Sequence, residues 1–239
     1  MSGLITNYDC QFYAQLADEV AASAQVCVPF IRDLLTPASV VDIGCGQGDW
    51  LHAFHSGGVD DILGVDGDYV DRASLRIPPT AFKAWDLTRP LELGRRFDLA
   101  VSLEVAEHLP ESCAEAFVRQ LVSLAPAVVF SAAIPGQGGT YHVNEQWFWY
   151  WQQLFDQAGY CCLDLLRKTF WRHPGVAAYY QQNMFLFVDP EVHGDLLDAY
   201  ADARGDKLTL VLTSVLRDLA TPRKPLWRRV LGRVVGRIA

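Results

Sequence analysis

The sequence predicts a doubly wound α/β domain, a mostly parallel sheet with helices on both faces. Three observations point there. Short apolar runs rich in Val, Ile and Leu recur through the middle of the chain, and helix-period stretches separate several of them. The run Val40-Val41-Asp42-Ile43 leads directly into Gly44-Cys45-Gly46-Gln47-Gly48 and then an amphipathic stretch. Near-continuous apolar runs mark strands buried on both faces, and strand–helix alternation marks parallel strands joined by crossover helices. A chain of 239 residues, 51% of them apolar, is long enough to bury one such core with additions.

The elements follow in order. Residues 9–35 read as one or two helices, with Phe12, Leu16 and Val20 on one stripe and Pro29 near a break. Strands are expected near 39–43, 61–66, 81–85, 97–103, 126–133, 160–166 and 183–188, with helices between several of them. Two additions stand out: the loop Ile134-Pro135-Gly136-Gln137-Gly138-Gly139-Thr140-Tyr141-His142, and an aromatic insert over residues 167–181 holding Trp171, His173, Tyr179 and Tyr180. The chain divides into an N-terminal helical part (1–36), a central domain (37–190) and C-terminal helices with a tail (191–239). Ligands of open α/β sheets bind beyond the carboxyl ends of the strands, where the first loop must lie.

The glycine turn carries most of the chemistry. Glycine lets the backbone approach a ligand closely, and Asp66, 18 residues after Gly48, brings a carboxylate to the same turn for a ribose diol. A dinucleotide site favours G-x-G-x-x-G, with pyrophosphate at the helix start. Here the spacing is G-x-G-x-G, and Asp42 and Asp49 bracket it. Two acids repel a pyrophosphate and suit a ligand with a sulfonium and an ammonium.

Four motifs in order, VDIGCGQG, GVDGDYV, AWDL (Ala84 to Leu87) and FDLAVSLEVAEHLP (Phe97 to Pro110), resemble those of class I S-adenosylmethionine-dependent methyltransferases over residues 38–190. The whole chain is similar to bacterial members of polysaccharide or natural-product pathways. The resemblance implies a Rossmann-like seven-stranded sheet with an antiparallel last strand, and an N-terminal lid over the cofactor in which Tyr8 and Tyr13 are candidates. It implies a turn of Gly44, Cys45, Gly46 and Gly48 beneath the methionine part, with Asp42 toward the ammonium. Asp66 would take the ribose, Gly67 would leave room for adenine, and Asp86 would accept from the adenine amino group beside Leu87. Leu103 and Glu104 would line the methionine end.

Methyl transfer to a hydroxyl benefits from a base, and histidine suits that near neutrality. His52 and His55 sit on the first helix after the turn, and His173 and His193 lie in less defined context. His142, with His108 as the other candidate, follows a strand at the ligand edge and is the expected base. Tyr13, Tyr141, Glu145, Trp147 and Trp171 are candidate acceptor contacts. The expected acceptor is a hydroxyl of a sugar, glycan or secondary metabolite, small or carrier-linked. Glu104, Glu107, His108 and His142 also resemble the E-x-x-E-H plus distant His set of small-RNA 3′-terminal 2′-O-methyltransferases, and ubiquinone-pathway O-methyltransferases carry a similar run. Such a set would hold Mg²⁺ or Mn²⁺ for an RNA or phenolic hydroxyl. A non-catalytic cofactor-binding scaffold is a third reading.

Net charge is −8, which disfavours broad contact with nucleic acid. It is unevenly spread: residues 223–239 hold six bases and no acid, leaving 14 bases against 28 acids before them. In that tail Leu226, Trp227, Val230, Leu231, Val234, Val235 and Ile238 share one half of a helix, with arginines on the other. This pattern fits peripheral contact with an anionic membrane surface, or docking on an acidic protein face. No stretch approaches the ~20 apolar residues of a membrane span. Six cysteines without a C-x-x-C pair read as reduced thiols of a cytoplasmic protein, at most peripheral to the inner face of the cell membrane.

Overall fold

The structure, a computed structural model, describes the backbone of residues 3–204 and the side chains from residue 18 onward. The side chains of Tyr8 and Tyr13 and the basic tail, residues 223–239, lie outside the described residues.

The chain runs α1 (Gly3–Leu35), β1 (Ser39–Ile43), α2 (Asp49–Ser56), β2 (Asp61–Asp66), β3 (Phe82–Ala84), β4 (Leu99–Leu103) and α3 (Ala114–Leu124). It continues with β5 (Ala127–Ser131), α4 (Phe148–Gln157), β6 (Cys161–Leu163), α5 (Leu165–Phe170), α6 (Ala178–Asn183), β7 (Phe185–Val188) and α7 (Gly194–Ala199). The seven strands form one sheet in the order β3-β2-β1-β4-β5-β7-β6. The strands from β3 to β5 pair in parallel, and β7 runs antiparallel to both β5 and β6. The order reverses beside β1, so the ends of β1 and β4 open a crevice at the carboxyl edge.

Alternation along the strands divides the core into two faces. Val40, Leu99, Val101, Val129, Leu186 and Val188 pack with Ala24, Cys27, Val28 and Ile31 of α1 and with Leu51 and Phe54 of α2. Val41, Ala100, Val128, Phe130, Phe185 and Phe187 face Phe117 and Leu121 of α3 and Trp151 and Phe155 of α4. The Phe155 and Phe187 rings stack with centroids 3.8 Å apart.

Two elements differ from the sequence-based expectation. Helix α1 is a single helix that contains Pro29 instead of breaking there. An interior proline costs about 3 kcal/mol, and the burial of Cys27, Val28 and Ile31 on one stripe offsets it. The second half of α1 is thereby a core helix of the domain. Strand β6 ends at Leu163 because Asp164 opens α5, where its carboxylate pairs with Arg167 at 3.2 Å in a buried i,i+3 contact. The 167–181 insert forms most of α5, the turn after it and the start of α6, and it packs on α1. The Phe170 and Phe30 rings meet edge-on, and the Ala177 N–H donates to Ser23 Oγ at 2.9 Å. Cys27, Cys45, Cys113, Cys161 and Cys162 are free thiols.

Candidate functional site

The turn after β1 is held from both sides. Gly44 N–H donates to Val65 O at 2.7 Å, and Gly46 N–H donates to Asp66 Oδ2 at 2.7 Å. A Cβ at Gly44 would lie 2.3 Å from Val105 Cγ2, whereas a Cβ at Gly46 would meet nothing within 4 Å. The middle glycine therefore presents bare backbone to open space, a cradle for a ligand. Asp66 is buried, and its Oδ1 accepts from Gly67 N–H at 2.6 Å and from the Tyr69 hydroxyl at 2.5 Å. Asp49 is paired with Arg76 at 2.8 Å. Asp42 is only 3% exposed. Burial, then the charges of Asp66 and Asp49, hold its carboxyl well above the usual range. A cation placed beside Asp42 would relieve that cost.

The second half of the site converges on the end of β4. Glu104 adopts φ +56°, an uncommon conformation for a non-glycine residue, and its N–H donates to Ser131 Oγ at 3.0 Å. Its Oε2 accepts from Gln137 Nε2 at 2.8 Å and its Oε1 from Asn183 Nδ2 at 3.2 Å. Burial raises the Glu104 carboxyl, and these hydrogen bonds oppose the rise. Glu107 is fully buried in the short 3-10 turn Ala106–His108, and neither oxygen makes a hydrogen bond of ordinary geometry. Burial, then the neighbouring Glu104 charge, push its carboxyl up to about 9.

The loop after β5 is tied to that turn, since Val143 and Asn144 N–H both donate to Glu107 O, at 2.9 and 3.0 Å. This brings the His142 ring edge-on to His108, with centroids 4.8 Å apart. His142 Nδ1 lies 3.0 Å from Glu145 Oε1, and the same carboxylate accepts from Gly136 N–H at 2.7 Å and Gly138 N–H at 3.0 Å. Burial works against ionisation of Glu145, but these partners outweigh it and hold its carboxyl below the usual range. Burial, then the proximity of His142, lower the pKa of His108. Glu107, His108 and His142 each offer one ligand atom, all within 4.8 Å of one another.

A family model described as a methyltransferase domain matches residues 13–172. The chain belongs to this methyltransferase family. It is an S-adenosylmethionine-dependent enzyme. A search of curated protein sequences finds no match. Among solved structures, DesVI of Streptomyces venezuelae is 16% identical, with a TM-score of 0.58 over 76% of this chain and 96% of its own. The sugar N-methyltransferase KedS8 of Streptoalloteichus sp ATCC 53650 is 18% identical, with a TM-score of 0.56 over 76% and 92%. CalS10 of Micromonospora echinaspora, an amino pentose methyltransferase solved with the cofactor bound, is 15% identical, with a TM-score of 0.55 over 76% and 96%. At these identities the likeness speaks for the fold.

The methyltransferase's cradle fits the cofactor on its own geometry. Gly46 leaves room for it, Asp42 faces acids and would pair with the ammonium, and Asp66 would take the ribose. Gly44 and Gly48 shape the turn against Val105 and Ile77. Leu103 is buried at the end of β4. Leu87 packs, partly buried, against the core.

Other residues take places the sequence did not indicate. Cys45 turns its thiol into the core, where a Cβ at Gly64 would touch it. Asp49 is occupied by Arg76. Gly67 is covered by the Tyr69 ring, so the room there holds a side chain. Asp86 is exposed and caps its own turn. Its Oδ1 accepts from Thr88 N–H and hydroxyl, and its other oxygen pairs with Arg89 at 3.2 Å. Trp171 lies against the guanidinium of Arg167, 5.7 Å away, on the insert. Tyr141 and Trp147 are exposed on the loop after β5. Glu145 holds His142 and the loop backbone, which makes it a positioning group. Glu104 stands apart from the three-residue ligand cluster because two side-chain amides occupy its oxygens. His52 and His55 bond to backbone carbonyls of Arg76 and Val59, and His173 accepts from Gly175 N–H in its own turn.

Sequence reasoning assigned no role to Tyr69, Gln137 or Asn183, and it read Tyr179 only as one of the insert's aromatic rings. Tyr179 on α6 buries a hydroxyl without a hydrogen-bond partner, and its titration is raised by burial and then by the Glu104 charge. No short motif marks Gln137 or Asn183, because they meet Glu104 across 33 and 79 residues of chain; Tyr69 sits inside the GVDGDYV run, but its bond to Asp66 forms only across the turn.

Proposed function

We propose that the enzyme methylates a hydroxyl of a sugar, glycan or comparable polar acceptor, with His142 removing the proton. The observation that carries this reading is the His142–Glu145 pair. Donation from Nδ1–H to Glu145 leaves Nε2 as the acceptor, the arrangement a general base requires. S-adenosylmethionine supplies the electrophilic methyl group. Glu145 keeps the base and the Gly136–Gly138 backbone in one unit, and Glu104 offers a fixed acidic wall at the end of β4. Glu107, whose carboxyl burial pushes up to about 9, carries its proton near pH 7. Alignment of this kind accounts for much of the acceleration in bimolecular transfer.

A sugar-sized acceptor is supported by the likeness to KedS8, a sugar N-methyltransferase, and to CalS10, an amino pentose methyltransferase. No lysine or arginine occurs between Arg119 and Arg167, a stretch that supplies Gln137, His142 and Glu145. That composition favours a neutral acceptor over RNA. The test is transfer of labelled methyl to a panel of sugars, amino sugars and phenols by the wild type and by His142→Ala. Transfer to a sugar hydroxyl that His142→Ala abolishes, with cofactor affinity retained, supports the assignment. Equal transfer by the variant removes His142 as base.

One observation favours a second reading. Glu107, His108 and His142 have the donor types and spacing of a divalent-cation site. They would hold Mg²⁺ or Mn²⁺ beside the acceptor hydroxyl and lower its pKa. Loss of activity on chelation, restored by either ion, selects this reading, and activity indifferent to chelation rejects it.

A further inference from the structure

The hydrogen bonding of Asp66 gives a role to a residue outside the recognised glycine turn. An ionised carboxylate has about four lone-pair sites, two on each oxygen. On Oδ1 both are taken, by Gly67 N–H at 2.6 Å and by the Tyr69 hydroxyl at 2.5 Å. On Oδ2 one is taken, by Gly46 N–H at 2.7 Å. A ribose diol bound in bidentate fashion needs one site on each oxygen. The two backbone donors belong to the cradle itself, so the group that must yield is the tyrosine.

We propose that Tyr69 is a cofactor-gating residue whose hydroxyl stands in the place of one ribose hydroxyl, and that the cofactor enters by displacing it. The proposal rests on Asp66 as the ribose acceptor and adds the competitor that sets its affinity. Two further features fit. The ring lies back over Gly67, where a Cβ would fall 2.1 Å from Cε1 and 2.5 Å from Cδ1, so any larger residue at 67 would push the ring away. The residue is nevertheless 84% exposed. Its hydroxyl is the anchor, and rotation about the side chain releases it into solvent without moving the backbone. In the exchange one O–H donor to the carboxylate leaves and another arrives, so Asp66 remains paired throughout.

The gate acts on the ribose, which S-adenosylmethionine and S-adenosylhomocysteine share. It therefore weakens both to the same degree and speeds departure of the product. Tyr69→Phe keeps the ring and removes the competing donor.

Titration calorimetry with S-adenosylhomocysteine should show about ten-fold tighter binding by Tyr69→Phe, the scale of one charge-assisted hydrogen bond. Stopped-flow dissociation should slow correspondingly. The gain should vanish for one of the two analogues lacking the 2′- or the 3′-hydroxyl, which identifies the displaced position. Unchanged or weaker binding by Tyr69→Phe overturns the proposal, as does a gain that persists with both deoxy analogues. Asp66→Asn separates this from the underlying reading. If that variant binds S-adenosylhomocysteine as the wild type does, the ribose is not on Asp66 and both statements fall. If it weakens binding while Tyr69→Phe changes nothing, the ribose assignment stands and the gate alone fails.

Discussion

Substituting alanine at two neighbouring glycines should separate the turn that supports the fold from the turn that holds the cofactor. At Gly44 the backbone has φ +86°, and a Cβ would press into Val105, 2.3 Å from one methyl and 2.8 Å from the other. A left-handed L-residue costs roughly 1–2 kcal/mol. Valine is short and β-branched, so it has little freedom to retreat, and overpacking adds about 1–3 kcal/mol. Alanine recovers roughly 0.4–1 kcal/mol by restricting the unfolded chain. The balance for Gly44→Ala is a loss of about 2–4 kcal/mol, or roughly 5–15 °C in Tm for a domain of this size. Gly46 has φ +54° and open space where its Cβ would stand. Only the backbone term remains, so Gly46→Ala should stay within about 1 kcal/mol of the wild type. Its methyl would instead project into the cradle beside the N–H that Asp66 accepts. Calorimetric melting and titration with S-adenosylhomocysteine should therefore give opposite results. Gly44→Ala should melt early, and Gly46→Ala should melt almost normally yet bind at least ten-fold more weakly. Equal melting losses, or unimpaired binding by Gly46→Ala, would refute the placement of the cofactor over the middle glycine.

Three further predictions follow from the buried acids and the loop. Asp42→Asn should raise Tm and weaken S-adenosylhomocysteine binding. The folded state keeps a proton on the raised Asp42 carboxyl that the unfolded chain releases above about 3.8, so stability falls as pH rises from there toward the folded value, and the gap in Tm should widen over that window. Glu107, ordinarily near 4.5 and here about 9, binds a proton in the folded state that the unfolded chain has released between those values. Its contribution is therefore full below pH 4.5 and lost as pH rises toward 9. Urea midpoints should fall over that window, and Glu107→Gln should flatten the fall; a pH-independent difference between the two proteins contradicts the assigned burial cost. Glu145→Gln should lower kcat while leaving the KM for acceptor and cofactor affinity nearly unchanged, and the His142 Nδ1–H resonance should move in nitrogen-edited spectra. An unmoved resonance means Glu145 does not orient the base.

The glycine turn and the acid beside it were legible because their physics is local. An apolar β-branched run, a glycine turn and an acid at the end of the next strand are adjacent in sequence, and parallel pairing of Ile43 with Val65 brings Asp66 to the turn. The strand positions were readable for the same reason. Each buried run spans one sheet crossing, and errors fell only at ends such as Asp164, where a side chain starts a helix. Asp86 shows the limit of this reading. The same D-x-T pattern serves a ligand or caps a turn, and only the structure shows Thr88 and Arg89 filling its oxygens.

The residues around Glu104 were less legible because they converge from distant segments. Glu104 is held by Gln137, 33 positions away, and by Asn183, 79 positions away. Neither amide has a period or motif to announce it, and both arrive only because β5 and β7 lie side by side with β4 next to them. Glu145 illustrates how such convergence changes a role. Read along the chain, it is one polar residue among His142, Asn144 and Gln146. In the fold, its carboxylate gathers two backbone N–H groups and a histidine, every one of them on the loop after β5. A residue so occupied has little remaining capacity for an acceptor. On the proposed reading, the groups among the described residues that would remain for the acceptor include His142, the Tyr179 hydroxyl and the exposed rings of Tyr141 and Trp147.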